Sequence, residues 1–280
     1  MLIDAHCHLN FRAYASDAEA VISDMRQKGI RAVVVGSQES TSERAIALAR
    51  EHPGQLYAAI ALHPIHLYTM DVQGVEFPFT SREEKFNDTV YRKLAAQQGV
   101  VAIGECGLDY FQFPQGHTAE SVKKKQKDIL RKHIALAQDF DLPVILHVRA
   151  NPNDYREPYR DALNILSDYS YRHVVFHALA THPDVAQEIF AQGYWASFSG
   201  LITYKEYPVL RELVRIAPLD RMMVETDSPY MTPEPLRGQR NIPQNVARVA
   251  QTVAQFRGVP IQEIEQATTA AAERFFRLPK

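Results

Sequence analysis

The chain has 280 residues, 46% of them hydrophobic and 23% charged, with a formal net charge of −2 and a sequence pI near 6.6. These proportions allow a large buried core and exclude a disordered chain, and the near-neutral charge excludes a protein that coats nucleic acid by general positive charge. No apolar run approaches the roughly 18 residues that a bilayer span needs, and the first residues lack a basic segment followed by an apolar run and cleavage site. A soluble, cytoplasmic protein with no membrane partner is expected. The only cysteines, Cys7 and Cys106, each sit inside an apolar segment, which implies no disulfide framework.

From the start, short β-branched runs alternate with amphipathic stretches: "LIDAHCHL", "DAEAVISDMRQKG", "IRAVVVGS", then "TSERAIALAREHPG". The rhythm continues through "LYAAIALHP", "VVAIGECGLD", "LPVILHVR", "HVVFHALA", "YWASFSG" and "RMMVETDSPY", with helical patterns such as "KKKQKDILRKHIALAQDFD" and "YPVLRELVRIA" between successive runs. Eight buried parallel strands alternating with helices predict an α/β fold, a (β/α)8 TIM barrel, as a single domain over residues 1–280. Two C-terminal helices, "PQNVARVAQTVAQFRG" and "PIQEIEQATTAAAERFF", would complete or cap it. An open doubly wound sheet is the alternative. Between the third and fourth predicted strands the crossover is too long. Its second half reads as a helix and its first, from about Leu67 to Asn87, as an extended loop, either a tolerated insertion or a substrate-facing lid.

The ends of the predicted strands carry a pattern of their own. The first supplies His6 and His8, the third His63, the fourth Glu105, the fifth His147, the sixth His177 and the eighth Asp227. In a barrel all would lie on the C-terminal rim, where groups far apart in sequence converge. A period of two puts His6 and His8 on one face and Cys7 on the other, opposes Glu105 to Cys106, and puts Glu225 beside Asp227. Imidazoles with carboxylates form a nitrogen and oxygen donor set suited to Zn²⁺ or Mn²⁺, with Mg²⁺ where carboxylate and water dominate. Four of these imidazoles with the two carboxylates already exceed one tetrahedral site, so two divalent ions sharing a carboxylate are expected, an arrangement suited to phosphoryl chemistry. His52, His117, His133, His173 and His182 read as structural.

At these residues the chain resembles the TatD family of metal-dependent deoxyribonucleases, within the amidohydrolase superfamily. The resemblance runs nearly end to end, through "DAHCHL", "IGECGLDY", "LPVILHVR", "VVFHALA", "SFSGLITYK" and "ETDSPYMTPEPLRGQRNIPQNV". It implies that His6 and His8 bind one metal, that Glu105 bridges, and that His147 and His177 bind the second. It further implies that Asp227 binds the first metal and accepts a proton from the attacking water, and that His63 contacts the scissile phosphate. Arg149, Arg237, Arg240 and Asn241 would stabilise phosphate oxygens. The chain departs from the family with "HALAT" after the sixth strand and "ALHPIH" after the third, changes that bear on the substrate pocket.

Tyr110 and Tyr230, each following an acidic strand end, would stack on a base or sugar, or pack in the fold. Glu225 and Asp4 would orient imidazoles from behind, or form buried ion pairs. The resulting expectation is a metal-dependent phosphodiesterase acting on single-stranded DNA, with RNA as a second substrate, and the resemblance implies that it is a 3′→5′ exonuclease. The alternatives are a small-molecule amidohydrolase or esterase, and a metal-loaded nucleic-acid-binding component of a larger assembly.

Overall fold

The structure, a computed structural model, describes residues 1–72, 79–151 and 154–279. The strands are β1 (Leu2–Cys7), β2 (Ile30–Val35), β3 (Leu56–Ile60), β4 (Asp71–Val72), β5 (Phe79–Thr80), β6 (Val100–Asp109), β7 (Val144–Arg149), β8 (Val174–Phe176), β9 (Trp195–Phe198) and β10 (Met222–Val224). The helices are α1 (Ala18–Gln27), α2 (Glu39–Glu51), α3 (Asp88–Ala95), α4 (Ala119–Phe140), α5 (Glu157–Asp168), α6 (Pro183–Ala191), α7 (Val209–Ile216), α8 (Val246–Arg257) and α9 (Ile261–Phe276). Eight strands form one parallel sheet in the order β1-β2-β3-β6-β7-β8-β9-β10, and β4 pairs antiparallel with β5 as a separate ribbon. The expected (β/α)8 barrel with two C-terminal helices is present.

Both faces of the sheet are buried, which is why the strands read as continuous apolar runs rather than as alternating ones. Ala32, Val34, Ala58, Leu146 and Phe176 pack outward against the helices, beside residues such as Met25, Ile46 and Ile134. Ile3, Val33, Tyr57, Ile145, Val175 and Met223 fill the barrel interior. The N-terminal end of the barrel is plugged by α9, whose Ala271, Ala272, Phe275 and Phe276 join that interior cluster. The Phe275 ring lies 5.1 Å from that of Trp195, and its carbonyl oxygen lies 2.7 Å from His173 Nε2. With that end sealed, the cavity opens at the C-terminal rim.

The seam between β1 and β10 is narrow: a single bridge joins Cys7 to Ser228, with backbone bonds from His8 N to Ser228 O (2.8 Å) and from Asp227 N to His6 O (2.9 Å). Asp4 reinforces it, accepting from Thr226 N (2.8 Å) and Thr226 Oγ1 (2.6 Å). This corrects both expectations for Asp4, whose partners are the Thr226 hydroxyl and backbone N–H groups rather than an imidazole or a cation. Its neighbours Ile3 and Ala5 belong to the interior cluster, and the register shifts between Asp4 and Cys7, so Asp4 leaves the strand on the opposite side.

Several strand ends also differ from expectation, β3 among them, which stops at Ile60, three residues before His63. Strand β6 runs ten residues, so Glu105 sits within it rather than at its end; β8 and β10 have three residues each, so His177 and Asp227 follow them. The predicted loop from Leu67 to Asn87 contains the β4/β5 ribbon, and its residues 73–78 lie outside the described residues. Among the described residues no helix is long and apolar enough to cross a membrane.

Candidate metal centre

At the C-terminal rim six side chains meet around the carboxylate of Glu105. Glu105 Oε1 lies 3.7 Å from His6 Nε2 and 3.3 Å from His8 Nε2, and Asp227 Oδ1 lies 3.5 and 3.2 Å from the same two nitrogens. The other oxygen, Oε2, lies 3.1 Å from His177 Nε2, 3.5 Å from His147 Nδ1 and 3.7 Å from His63 Nε2. The two oxygens of Glu105 thus divide six side chains into two sets. Burial would raise the Glu105 carboxyl, but the His63 and His6 imidazoles and hydrogen bonds from His147 and His177 hold it well below the usual carboxylate range.

Three of the rings are held from behind. His8 Nδ1 lies 2.8 Å from Val35 O, His147 Nε2 3.1 Å from Asp109 Oδ2, and His177 Nδ1 3.3 Å from Glu225 Oε1. In the neutral ring each of those nitrogens carries the proton, which turns the lone pair of the other nitrogen toward Glu105 or Asp227. Lone pairs facing carboxylate oxygens at these distances repel unless positive charge lies between them. Burial disfavours the charged rings, yet the carboxylates raise His8, His147 and His177 above the ordinary imidazole range. A divalent cation would satisfy the same oxygens and lone pairs. His6 Nδ1 is buried with no hydrogen-bond partner, and burial lowers this ring, as suits a neutral donor. The residues present fit a metal.

His63 is held the other way round. Its Nδ1 accepts from Ile65 N at 3.1 Å, so in the neutral ring Nε2 carries the proton and points it toward Glu105. Burial and the neighbouring His147 push its pKa well down, keeping it neutral. It is a hydrogen-bond donor at the floor of the cavity.

Local backbone sets these positions. Asp227 adopts φ 54, in the left-handed region that costs a non-glycine residue about 1–2 kcal/mol, and its N–H is tied to His6 O. Gly107, between Glu105 and Asp109, has φ 153, and a Cβ there would come within 1.9 Å of His147 O; only glycine lets β6 and β7 approach so closely. Glu225 also accepts from Ala178 N (2.8 Å) and from Ser197 Oγ, so it braces the His177 turn as expected.

Asp109 is a site residue that the sequence reading missed. Its signal was present: 105, 107 and 109 share one face of β6, and Asp109 is the next acid after Glu105 on that face. Gln126 from α4 clamps its backbone, donating to Asp109 O (2.9 Å) and accepting from Asp109 N (2.8 Å). Burial would raise its carboxyl, but the hydrogen bond from His147, with the charges of His147 and Arg149, holds it below the usual carboxylate range.

Above the floor opens a cavity of about 540 Å³, lined among others by His63, Arg149, Tyr230 and Arg237. Arg149 stacks over Phe111 at 3.8 Å, Arg237 over Tyr204 at 4.0 Å, and Tyr230 stands edge-on to His8. Three expected substrate contacts lie elsewhere. Arg240 pairs with Asp17 (2.9 Å) and covers the Tyr14 ring. Asn241 is fully buried and donates to Thr226 O (3.0 Å) and Tyr230 O (2.7 Å), shaping the chain after β10. Tyr110 is buried against α5, its hydroxyl donating to Asp161 at 2.8 Å, and so packs in the fold. Their neighbours in sequence reach the cavity because the chain turns sharply between them.

A family profile described as TatD related DNase matches residues 3–277. The chain is 34% identical over 281 residues to the uncharacterized metal-dependent hydrolase YabD of Bacillus subtilis, covering 99% of this chain and 100% of that one. It is 26% identical to the putative deoxyribonuclease tatdn3 of Danio rerio, covering 98% and 96% of the two chains. The crystal structure of YJJV, a TatD homologue from Escherichia coli, matches the fold with a TM-score of 0.81 at 29% identity, covering 99% of this chain and 98% of that one. A match extending from β1 through α9 leaves no ambiguity, and the chain belongs to the TatD-related DNase family.

Proposed function

We propose that the protein is a divalent-metal-dependent hydrolase of phosphodiester bonds in nucleic acid, acting as a 3′→5′ exonuclease on single-stranded DNA and also on RNA. The observation that carries this reading is the division of the two Glu105 oxygens between His6, His8 and Asp227 on one side and His147 and His177 on the other. The polarity rests on family resemblance alone, and the preference for ends on a cavity in the size range of small-ligand pockets, which suits a strand terminus better than a duplex.

In this reading His6, His8 and Asp227 would hold one ion, His147 and His177 would hold a second, and Glu105 would serve both. Two Mg²⁺, Mn²⁺ or Zn²⁺ ions held there would supply Lewis acidity toward phosphoryl oxygens and lower the pKa of water. The remaining work falls to the chain. Asp227 accepts the proton of the attacking water. His63 donates from Nε2 to a phosphate oxygen, its donor proton secured by the bond that Nδ1 accepts. Arg149 and Arg237, stacked on aromatic rings, add charge at the wall. Residues 1–280 act as one hydrolase domain, since β1 and the turn after β10 supply the same site. Two buried free cysteines suit a reducing cytoplasm.

The test is to strip the protein of metal, resupply Mg²⁺, Mn²⁺ or Zn²⁺, and add single-stranded DNA labelled at its 5′ end. A metal-dependent ladder shortening from the 3′ end supports the proposal. Absence of cleavage of DNA and RNA with all three ions overturns it in favour of a small-molecule hydrolase.

A further inference from the structure

Few large apolar side chains stand in water on this molecule. Among the described residues they are Met1, Phe79 (37% exposed), Tyr155 (52%), Tyr207 (45%) and Val209, and three of these five line the cavity above the histidines. The three are aromatic and come from separate segments: Phe79 from the β4/β5 ribbon, Tyr155 from the chain before α5, and Tyr207 from the turn before α7. Aromatic rings from three segments left partly in water at one cavity are poorly explained by packing. They continue inward as planar groups, with Tyr204 6.3 Å from Tyr207 and tilted by 30°, and the Arg237 guanidinium over Tyr204.

We propose that Phe79, Tyr155 and Tyr207 form a base-stacking rim that holds the nucleotides flanking the bond to be cut, so that single strands are gripped by their bases more than by their phosphates. This rests on the phosphodiesterase reading above. Charge supports it. The lysine and arginine side chains lining the cavity are Arg149 and Arg237 alone among the described residues, and Arg237 also donates to Glu206 at 2.7 Å. Two arginines cannot track a phosphate backbone beyond the bond to be cut, whereas aromatic faces hold any base without reading sequence. An acyl chain would meet the imidazole and carboxylate floor, and a duplex would keep its bases from the rings.

The experiment measures KM for metal-loaded protein on a short single-stranded oligodeoxynucleotide, and on versions with one abasic site walked through the positions nearest the 3′ end. Tyr155→Ala and Tyr207→Ala are each expected to raise KM about 5- to 150-fold on the intact strand. Much less change is expected where the abasic site removes the partner base, and Tyr→Phe variants should restore binding. The logarithm of affinity should fall with that of salt concentration with a slope no steeper than about −1.4, corresponding to two phosphate contacts. Cleavage with a KM unmoved by both alanine variants, or moved equally on every abasic strand, overturns the rim and leaves the phosphodiesterase standing. No cleavage of any nucleic acid by the wild type overturns both. The exposure of these tyrosines means that their replacement leaves the core untouched, which unchanged thermal unfolding will verify.

Discussion

Asp109 Oδ2 lies 3.1 Å from His147 Nε2, on the edge of the ring away from Glu105, whose Oε2 lies 3.5 Å from His147 Nδ1. Asp109 therefore selects which nitrogen of His147 faces the cluster. Asp109→Ala is expected to weaken divalent-metal binding about 10- to 100-fold, with Asp109→Asn recovering part of the loss because its amide oxygen still accepts from Nε2. Calorimetric titration of chelator-treated protein measures it. Unchanged affinity in the alanine variant would mean that the ring is oriented by packing alone.

Glu105 turns one carboxylate oxygen to each set of imidazoles. Adding metal at about 100 times its Kd should stabilise the wild type by about 2.7 kcal/mol against unfolding, and a chelator should remove that gain. In Glu105→Gln the response to metal should shrink sharply or vanish. Urea unfolding with and without chelator reads both.

Asp227 sits in the left-handed region, tied to β1 through its own N–H, so its carboxylate is placed by backbone as well as by charge. Asp227→Asn is expected to reduce kcat by about 10²- to 10⁴-fold, the usual contribution of a positioned proton acceptor. Single-turnover cleavage at saturating metal separates that effect from weaker metal binding. A variant with full turnover would remove Asp227 from the proton-accepting role.

His133 offers a pH dependence free of the metal question. Its Nε2 accepts from Leu62 N (3.1 Å) and its Nδ1 lies 2.9 Å from Ile129 O, and burial pulls its pKa down to about 4. The unfolded chain binds a proton near pH 6.5 and the folded one does not until about pH 4, so stability present above pH 6.5 is lost as pH falls through that window. The full loss amounts to about 3 kcal/mol. Urea midpoints from pH 7 to pH 4 should fall less steeply in His133→Gln than in the wild type.

The plug at the base of the barrel is a stability element remote from the mouth. Phe275→Ala removes a fully buried ring from the interior cluster and should cost about 3–5 kcal/mol. Denaturant unfolding should shift accordingly while metal affinity at low temperature stays near that of the wild type.

The repeating order of strand and helix, and the histidines and acids gathered at the strand ends, were legible in the sequence. Both follow from local rules: a strand turns alternate residues to alternate faces, and parallel strands buried on both sides must be apolar throughout. That rule sufficed to put His6 and His8 together and Cys7 away from them, and it would have found Asp109 had the face of Glu105 been followed two steps further. It failed where a bulge interrupts the period, as at Asp4, and where the chain leaves the sheet. Arg237 reaches the cavity while Arg240 pairs with Asp17 and Asn241 is buried, and a strand's period says nothing about a turn after its end. Only the tertiary structure decided which edge of each imidazole faces Glu105, because Val35 O, Asp109 and Glu225 come from strands or turns remote from the rings they hold. It alone brought Phe79, Tyr155 and Tyr207 around one opening. Local backbone geometry fixes which face a side chain leaves from, whereas contacts between distant segments fix what it meets there.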